Sequence, residues 1–256
     1  MASLTKEQID QLKEYRLTIE AVDSELSIDC KDLLNRESLT IYLDRLRQEF
    51  QTSKRAVCGS MLLKRYGFLA VLALYSMSIW NKMINVQLEN VSIQSGYKND
   101  VWLPNFMFKS LQVIDMEHER HKKRDELLTV LFRHHFDPVI KSVSQYAKIS
   151  PIVLWENVSI YIFWMYESLR NKGLPVEMSV RVQEDFDYVI NGAKGELFGS
   201  FEQNPLTPFY CPKVYESTVK KEIRIRKTCC LYYLTNGGTI RCQSCPCQSK
   251  HVSEKE

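Results

Sequence analysis

The sequence predicts a mainly α-helical α+β protein with a small inserted antiparallel sheet and a cysteine-rich C-terminal segment. Three observations carry this prediction. Apolar residues recur at helical spacing over most of the chain, the spacing changes to that of strands between about residues 86 and 114, and five of the eight cysteines fall between Cys229 and Cys247. With 45% hydrophobic and 25% charged residues, a chain of 256 residues can bury a sizeable core.

Two helices are predicted before the inserted sheet. Thr5 and Gln8 have the spacing of a capping box that begins the first helix. The second has Leu39 and Phe50 on one face and is expected to run on into the apolar stretch Tyr66–Trp80. This stretch has 15 residues, fewer than the roughly 18 to 20 that cross a bilayer. It therefore predicts a buried core helix, with peripheral contact to the inner membrane as an alternative.

The inserted sheet is predicted over about residues 86–114. Val86, Leu88, Val91 and Ile93 read as one strand region, and the apolar residues of 101–103 and 106–114 read as further strands. The polar residues 94–100 are expected to form the loop between them.

Helices resume after the sheet. Proline follows both Asp137 and Ser150, which predicts two helix starts, since a proline at the first helical position loses no hydrogen bond. The second of these helices is expected to end near Gly173, and a further helix is expected to end at Gly192.

A linker is predicted at residues 204–208, where two prolines follow Asn204. It divides the chain into a helical domain of residues 1–204, with the inserted sheet, and a C-terminal segment of residues 205–256. This segment is expected to be too small to fold without a metal.

The cysteine spacing indicates a metal site. Cys229 and Cys230 are adjacent, Cys242 follows after eleven residues, Cys245 after two more, and Cys247 after one more. In a reducing compartment such a cluster is more often a metal site than a disulfide framework. Structural zinc favours two Cys-x2-Cys pairs, and the chain has one, whereas a 2Fe-2S cluster can also take thiolates from an adjacent pair. The pattern favours iron-sulfur, with zinc or redox-active thiols as alternatives.

The motif resembles the C-terminal 2Fe-2S motif of the FhuF family of ferric-siderophore reductases, in which an adjacent cysteine pair precedes a ten-residue interval and a Cys-x2-Cys pair. The chain length and the segment 150–157 also resemble that family. The resemblance implies Cys229, Cys230, Cys242 and Cys245 as cluster ligands. The interval here is one residue longer, which leaves Cys247 as an alternative fourth ligand.

The interval between the two cysteine pairs is predicted to form a hairpin. Residues 231–235 read as a short strand, 236–238 as its turn and 239–241 as the return strand. A longer hairpin loop would absorb the extra residue.

The resemblance implies one-electron reduction of a ferric siderophore in a bacterial cytoplasm, with no catalytic acid or base required. Residues 1–20 do not have the pattern of a secretory signal. The sequence has no dinucleotide or phosphate-binding glycine motif, so an electron donor such as a ferredoxin or a reductase is expected.

A net charge of +3 is too small to indicate nucleic acid binding. A zinc-stabilised interaction module and an iron-sulfur redox sensor remain as alternatives.

Two further sites are predicted. Arg224 and Arg226 belong to a basic stretch just before the cysteines and are expected to raise the cluster potential and attract an anionic partner, although a solvated edge strand explains them equally well. Trp102, Arg133 and His134 are the candidate siderophore-binding residues, because an aromatic wall beside cationic or hydrogen-bonding groups suits such a ligand.

Overall fold

The computed structural model describes residues 2–216 and 220–247 and has a long buried helix at its centre. This helix, α3 (Arg55–Trp80), has almost every residue buried, as predicted for the apolar stretch. By length and composition it could cross a membrane, but 94% of its most apolar 18 residues are buried inside the protein, as in a core helix. At Gly67 an added Cβ would lie 3.0 Å from Tyr161 and 3.3 Å from the Cα of Val158. A glycine here allows α6 (Pro151–Arg170) to pack closely against α3.

The N-terminal helices are separate. Helix α1 (Lys6–Lys13) begins at the predicted Thr5 capping box. Helix α2 (Arg36–Glu49) ends before α3 begins, so the expected continuation of the second helix is wrong. The physical reason is a break at Gln51, whose φ of 45° is left-handed and cannot continue a right-handed helix.

The predicted helix start at Asp137 is also wrong. Helix α4 (Arg120–Leu128) continues through a π-helical turn (Thr129–Phe136) into α5 (Asp137–Ala147), and the residue before Asp137 already has helical dihedrals. The π turn shifts the hydrogen-bond register just before the proline, which lets the helix pass through it.

The two later helices agree with the sequence prediction. The helix start at Ser150 is confirmed, since α6 follows it directly. Helix α7 (Val176–Asp187) continues into a π-helical turn that ends at Gly192, as predicted.

The sheet lies where the sequence predicts it but is not formed by one segment alone. The strands are β1 (Ala2–Ser3), β2 (Leu17–Thr18), β3 (Ile28–Asp29), β4 (Lys82–Ile84), β5 (Val91–Gln94), β6 (Tyr97–Lys98), β7 (Val101–Trp102), β8 (Asn105–Phe108) and β9 (Gln112–Asp115). Three antiparallel strands run in the order β1, β9, β4, and four strands run in the order β2, β8, β5, β3, with β2 parallel to β8. Strands β6 and β7 pair with each other as a separate antiparallel hairpin.

The C-terminal segment packs on the helical body. Leu206, Phe209 and Cys230 are part of the same buried core as the helices. Strands β10 (Val214–Glu216) and β11 (Lys221–Ile223) form a small antiparallel ladder. The predicted hairpin after Cys230 is wrong, because Tyr232–Leu234 forms a short 3-10 helix instead.

Candidate metal centre

The five C-terminal thiols form two groups. The Sγ atoms of Cys230 and Cys242 lie 3.8 Å apart. The Sγ atoms of Cys229, Cys245 and Cys247 all lie within 4.8 Å of one another. Cys230 and Cys245 are buried, whereas Cys247 is exposed. The structure therefore brings the four predicted ligands into two pairs and adds Cys247 to one of them.

The local backbone gives the adjacent cysteines different partners. Leu231 has a φ of 62°, so the chain turns sharply directly after Cys230. In an extended strand successive side chains point to opposite faces, and this bend allows Cys229 and Cys230 to contact separate thiols of the same segment. The backbone N–H of Cys245 donates to the carbonyl of Cys242, which closes the Cys-x2-Cys turn.

Thiolate formation is favoured at one thiol of each group. The pKa of Cys230 is lowered to about 5 by the hydrogen bond from Cys242 and, against the effect of burial, by the nearby cations Lys64 and Arg226. Burial by itself would raise the pKa of Cys245, but the N–H of Cys247 and the Arg241 guanidinium lower it. Since metals bind thiolates, these environments suit metal ligands.

Lys64 is a cation that the sequence did not single out. It lies on α3, and its Nζ is 3.9 Å from the Sγ of Cys230 and 5.3 Å from the centroid of the Tyr232 ring. No motif in the sequence marks this residue. Only the packing of the helices brings it to the thiols.

Arg226 is held inside the protein rather than on a solvated strand. It is 4% exposed, and its Nη2 donates to Asn157 at 2.6 Å and to Glu156 at 3.3 Å. Its Nε and Nη1 have no hydrogen-bond partner among the described residues. Because unpaired buried donors are unfavourable, these two nitrogens suit an acceptor supplied by a bound group, and the charge of Arg226 also acts on the Cys230 and Cys242 thiols. Arg224 lies outside this arrangement and bonds Glu167 and the Cys211 carbonyl.

Glu156 anchors the chain just before the cysteines. Its buried carboxylate accepts from the backbone N–H of Lys227 at 2.6 Å and of Thr228 at 2.9 Å, and from the Thr228 hydroxyl. Asn157 extends the anchor by donating to Ser60, whose hydroxyl donates to the Cys230 carbonyl at 2.7 Å. Two helices thus fix the backbone on both sides of Cys229.

The sequence contained one signal for this anchor. Glu156 and Asn157 are polar residues inside an otherwise apolar helix, and they lie in the segment 150–157 that resembles the FhuF family. Ser60 and Lys64 gave no comparable signal.

The predicted siderophore residues are not brought together in one cavity. Trp102 is 1% exposed and lines a cavity of about 660 Å³ beside the cysteine segment. Arg133 and His134 are exposed on the π-helical turn and do not line that cavity. The buried histidine of that turn is His135, whose ring bonds Tyr66 and the Val86 carbonyl.

Fold and site together define a mainly helical protein with a C-terminal thiol cluster. The cluster is fixed against the helical core and could hold a metal ion. The chain belongs to the FhuF family, since it matches the family model described as ferric iron reductase FhuF-like transporter over residues 60–196, just over half of its length. The match includes Lys64, Glu156 and Asn157 and ends before Cys229. No curated protein matches the chain.

Proposed function

We propose that this protein is a ferric-siderophore reductase whose 2Fe-2S cluster is held by Cys229, Cys230, Cys242 and Cys245. The observation that carries the proposal is the pairing of the thiols, Cys230 with Cys242 and Cys229 with Cys245. A 2Fe-2S cluster takes two thiolates on each iron, and two thiol pairs beside one another suit that demand. Family membership supports the reaction class.

A bound cluster would supply single electrons to siderophore-held iron(III). Oxygen donors hold iron(III) tightly and iron(II) loosely, so the ferric siderophore is the substrate and iron(II) leaves the chelate after reduction. The chain's own task is to fix the cysteine segment through Glu156 and to place Lys64 and Arg226 beside the thiolates. These cations favour the more negative, reduced form.

The electron donor is proposed to be a separate protein such as a ferredoxin or a reductase, and the compartment to be the cytoplasm. In the described part of the C-terminal segment, the exposed Lys220 and Lys221 offer positive charge to an acidic donor. Of the two arginines predicted to tune the cluster, Arg226 is the one whose charge reaches the thiols.

Zinc binding is the second candidate, because three thiols, Cys229, Cys245 and Cys247, lie close enough to share one ion. A zinc site of this kind would stabilise the segment without redox chemistry. It would leave Cys230 and Cys242 as a separate pair, which is why we favour the iron-sulfur cluster.

Anaerobic purification followed by iron, sulfide and zinc analysis tests the proposal. We expect about two irons and two sulfides per chain, as a 2Fe-2S cluster requires, with visible absorption that bleaches on reduction. Stoichiometric oxidation of the reduced protein by a ferric siderophore would establish the reaction. A colourless protein that contains zinc would reject it.

Serine substitutions test the ligand set. Replacing Cys229, Cys230, Cys242 or Cys245 by serine should abolish or strongly distort the visible spectrum, while Cys247→Ser should leave it nearly intact. The opposite result at Cys245 and Cys247 would mean that the additional residue in the interval shifts the fourth ligand to Cys247.

A further inference from the structure

The cavity that Trp102 lines adjoins the cysteine segment. It has a volume of about 660 Å³ and lies between the end of α2, the β6–β7 hairpin and the 3-10 turn after Cys230. Tyr232, Thr235 and Asn236 form its wall on the cysteine side. The N–H of Asn236 donates to the Phe50 carbonyl at 2.8 Å, which ties this wall to the end of α2.

The cavity has the size and composition of a polar-ligand site. Cavities that bind small molecules measure roughly 300 to 1,000 Å³. Most of the exposed lining here is polar, and the charged groups on it are Arg45, Arg65, Glu25, Glu49 and Asp100. Such a lining suits a ligand with many hydrogen-bonding oxygen atoms.

Arg65 is an unpaired charge at the base of this cavity. It is 7% exposed and makes no ion pair among the described residues. In contrast, Arg45 on the same lining lies 3.6 Å from Glu25. Burial lowers the pKa of Arg65 to about 10, so the guanidinium still carries its charge at neutral pH. The carboxylate of Glu49 on the same lining attracts this charge without forming an ion pair with it, so a ligand that supplies negative or polar oxygens would stabilise the buried guanidinium.

One hydrogen-bond donor of Arg65 remains available. The Nε and Nη1 of Arg65 donate to the carbonyls of Trp102 and Met61, which leaves Nη2 without a partner among the described residues. The indole Nε1 of Trp102 also has no partner in the described part of the chain, but it is buried and not open to the cavity. The guanidinium lies over the rings of Phe50 and Trp102, at 4.9 and 5.5 Å from their centroids. These contacts hold the guanidinium in place.

The cavity is connected to the thiols through one contact. Lys64, the neighbour of Arg65 on α3, lies against both the Cys230 thiol and the Tyr232 ring that lines the cavity. A ligand in the cavity would therefore be separated from the Cys230 and Cys242 pair by little more than the Tyr232 and Lys64 side chains.

We propose that this cavity binds the ferric siderophore, with Arg65 Nη2 donating to the oxygen atoms that surround iron(III) and Trp102 forming an aromatic wall. This inference rests on the proposed function. Of the three substrate-binding residues predicted from the sequence, this proposal retains Trp102. It replaces Arg133 and His134 by Arg65. Hydroxamate, catecholate and carboxylate oxygens are all acceptors for such donors.

Gallium(III) chelates test binding apart from electron transfer, because gallium(III) resembles iron(III) in charge and size and is not reduced. Titration calorimetry would use the cluster-loaded protein with the gallium(III) chelates of desferrioxamine B and of a tris-catecholate. We expect at least one of the chelates to bind. Arg65→Gln should weaken this binding about tenfold or more, as the loss of a hydrogen bond from a charged donor does, and Trp102→Phe should weaken it less, since it only shortens the aromatic wall.

A second variant and a matched control complete the test. Gln48→Trp places a large side chain on an exposed position of the cavity lining, away from the core, and should block binding. Trp164→Phe changes a tryptophan of a different cavity next to the cysteine segment and should leave affinity unchanged. Wild-type affinity in folded Arg65→Gln and Gln48→Trp proteins would overturn the proposal.

The reduced protein separates this inference from the function on which it rests. If ferric chelates oxidise the reduced cluster but neither gallium chelate binds the wild-type protein, the cavity is not the site and the reductase function stands. If ferric chelates do not oxidise the cluster at all, the proposed function itself fails.

Discussion

At the scale of single residues, the centre depends on a few side chains that are far apart in sequence. Glu156 and Lys64 belong to two core helices, yet one fixes the backbone before Cys229 and the other contacts the Cys230 thiol. Each can be tested against a residue in a similar setting that does not contact the cysteines.

Glu156→Gln should loosen the cysteine segment. The substitution removes the charge that pairs with buried Arg226 and weakens the bonds to the Lys227 and Thr228 backbone. Loss of one partner of a buried pair costs about 3 to 5 kcal/mol. We expect a lower free energy of unfolding in denaturant and faster loss of the proposed cluster to a chelator.

Glu167→Gln is the matched control, because Glu167 lies on the same helix but bonds the side chains of Lys213 and Arg224. Its effect on cluster loss should be small. Equal effects of the two variants would argue against a specific role of Glu156.

Lys64→Met should lower the reduction potential of the proposed cluster. A cation beside a thiolate stabilises the reduced state, which carries the additional negative charge, so its removal disfavours reduction. Potentiometric titration followed by electron paramagnetic resonance measures the shift. Arg224→Met should change the potential less, since Arg224 is paired with Glu167, and a larger shift there would contradict this assignment.

At the scale of elements, the close contact of α3 and α6 positions the centre. Both the Glu156 anchor and Lys64 depend on this packing, because they lie on α6 and α3 respectively. Gly67 makes the contact possible, since a side chain there would meet Tyr161 and the backbone of Val158.

Gly67→Ala should destabilise the protein by about 1 to 3 kcal/mol, the usual result of overpacking, and should increase the rate of cluster loss as the two helices separate. Denaturant unfolding and visible absorption measure the two effects. Gly173→Ala is the comparison, because Gly173 has open space around it and its φ of 63° adds only local strain. The Gly173 variant should retain the cluster at the wild-type rate.

The elements also show where sequence periodicity is sufficient to predict secondary structure. The buried helix α3 and the start of α6 agree with the sequence prediction, since apolar spacing and a proline after Ser150 are local signals. The hairpin after Cys230 is absent because Leu231 and Asn236 take left-handed conformations that bend the chain toward the thiols. Contacts with the helical body override the local strand preference there.

At the scale of the whole molecule, the C-terminal segment has little regular structure and is fixed by contacts with the helical body. The predicted boundary between residues 204 and 205 therefore stays a prediction that metal removal can test.

Removal of the cluster should loosen residues 220–247 while the helices remain folded. Hydrogen exchange should show loss of protection in that segment, and circular dichroism should show nearly unchanged helix content, since of the four proposed ligands only Cys230 belongs to the buried core and Cys242 packs against it. Cooperative loss of all protection would contradict an independently stable helical domain.

The sequence by itself determined the mainly helical α+β class, the buried helix, and the cysteine spacing that resembles the FhuF family, because each depends on local pattern. Only the tertiary structure decided which residues surround the thiols. Ser60, Lys64 and Glu156 reach the cysteine segment across more than 70 residues of chain, by packing alone. No local pattern encodes such contacts, since they arise only when helices far apart in sequence share one core.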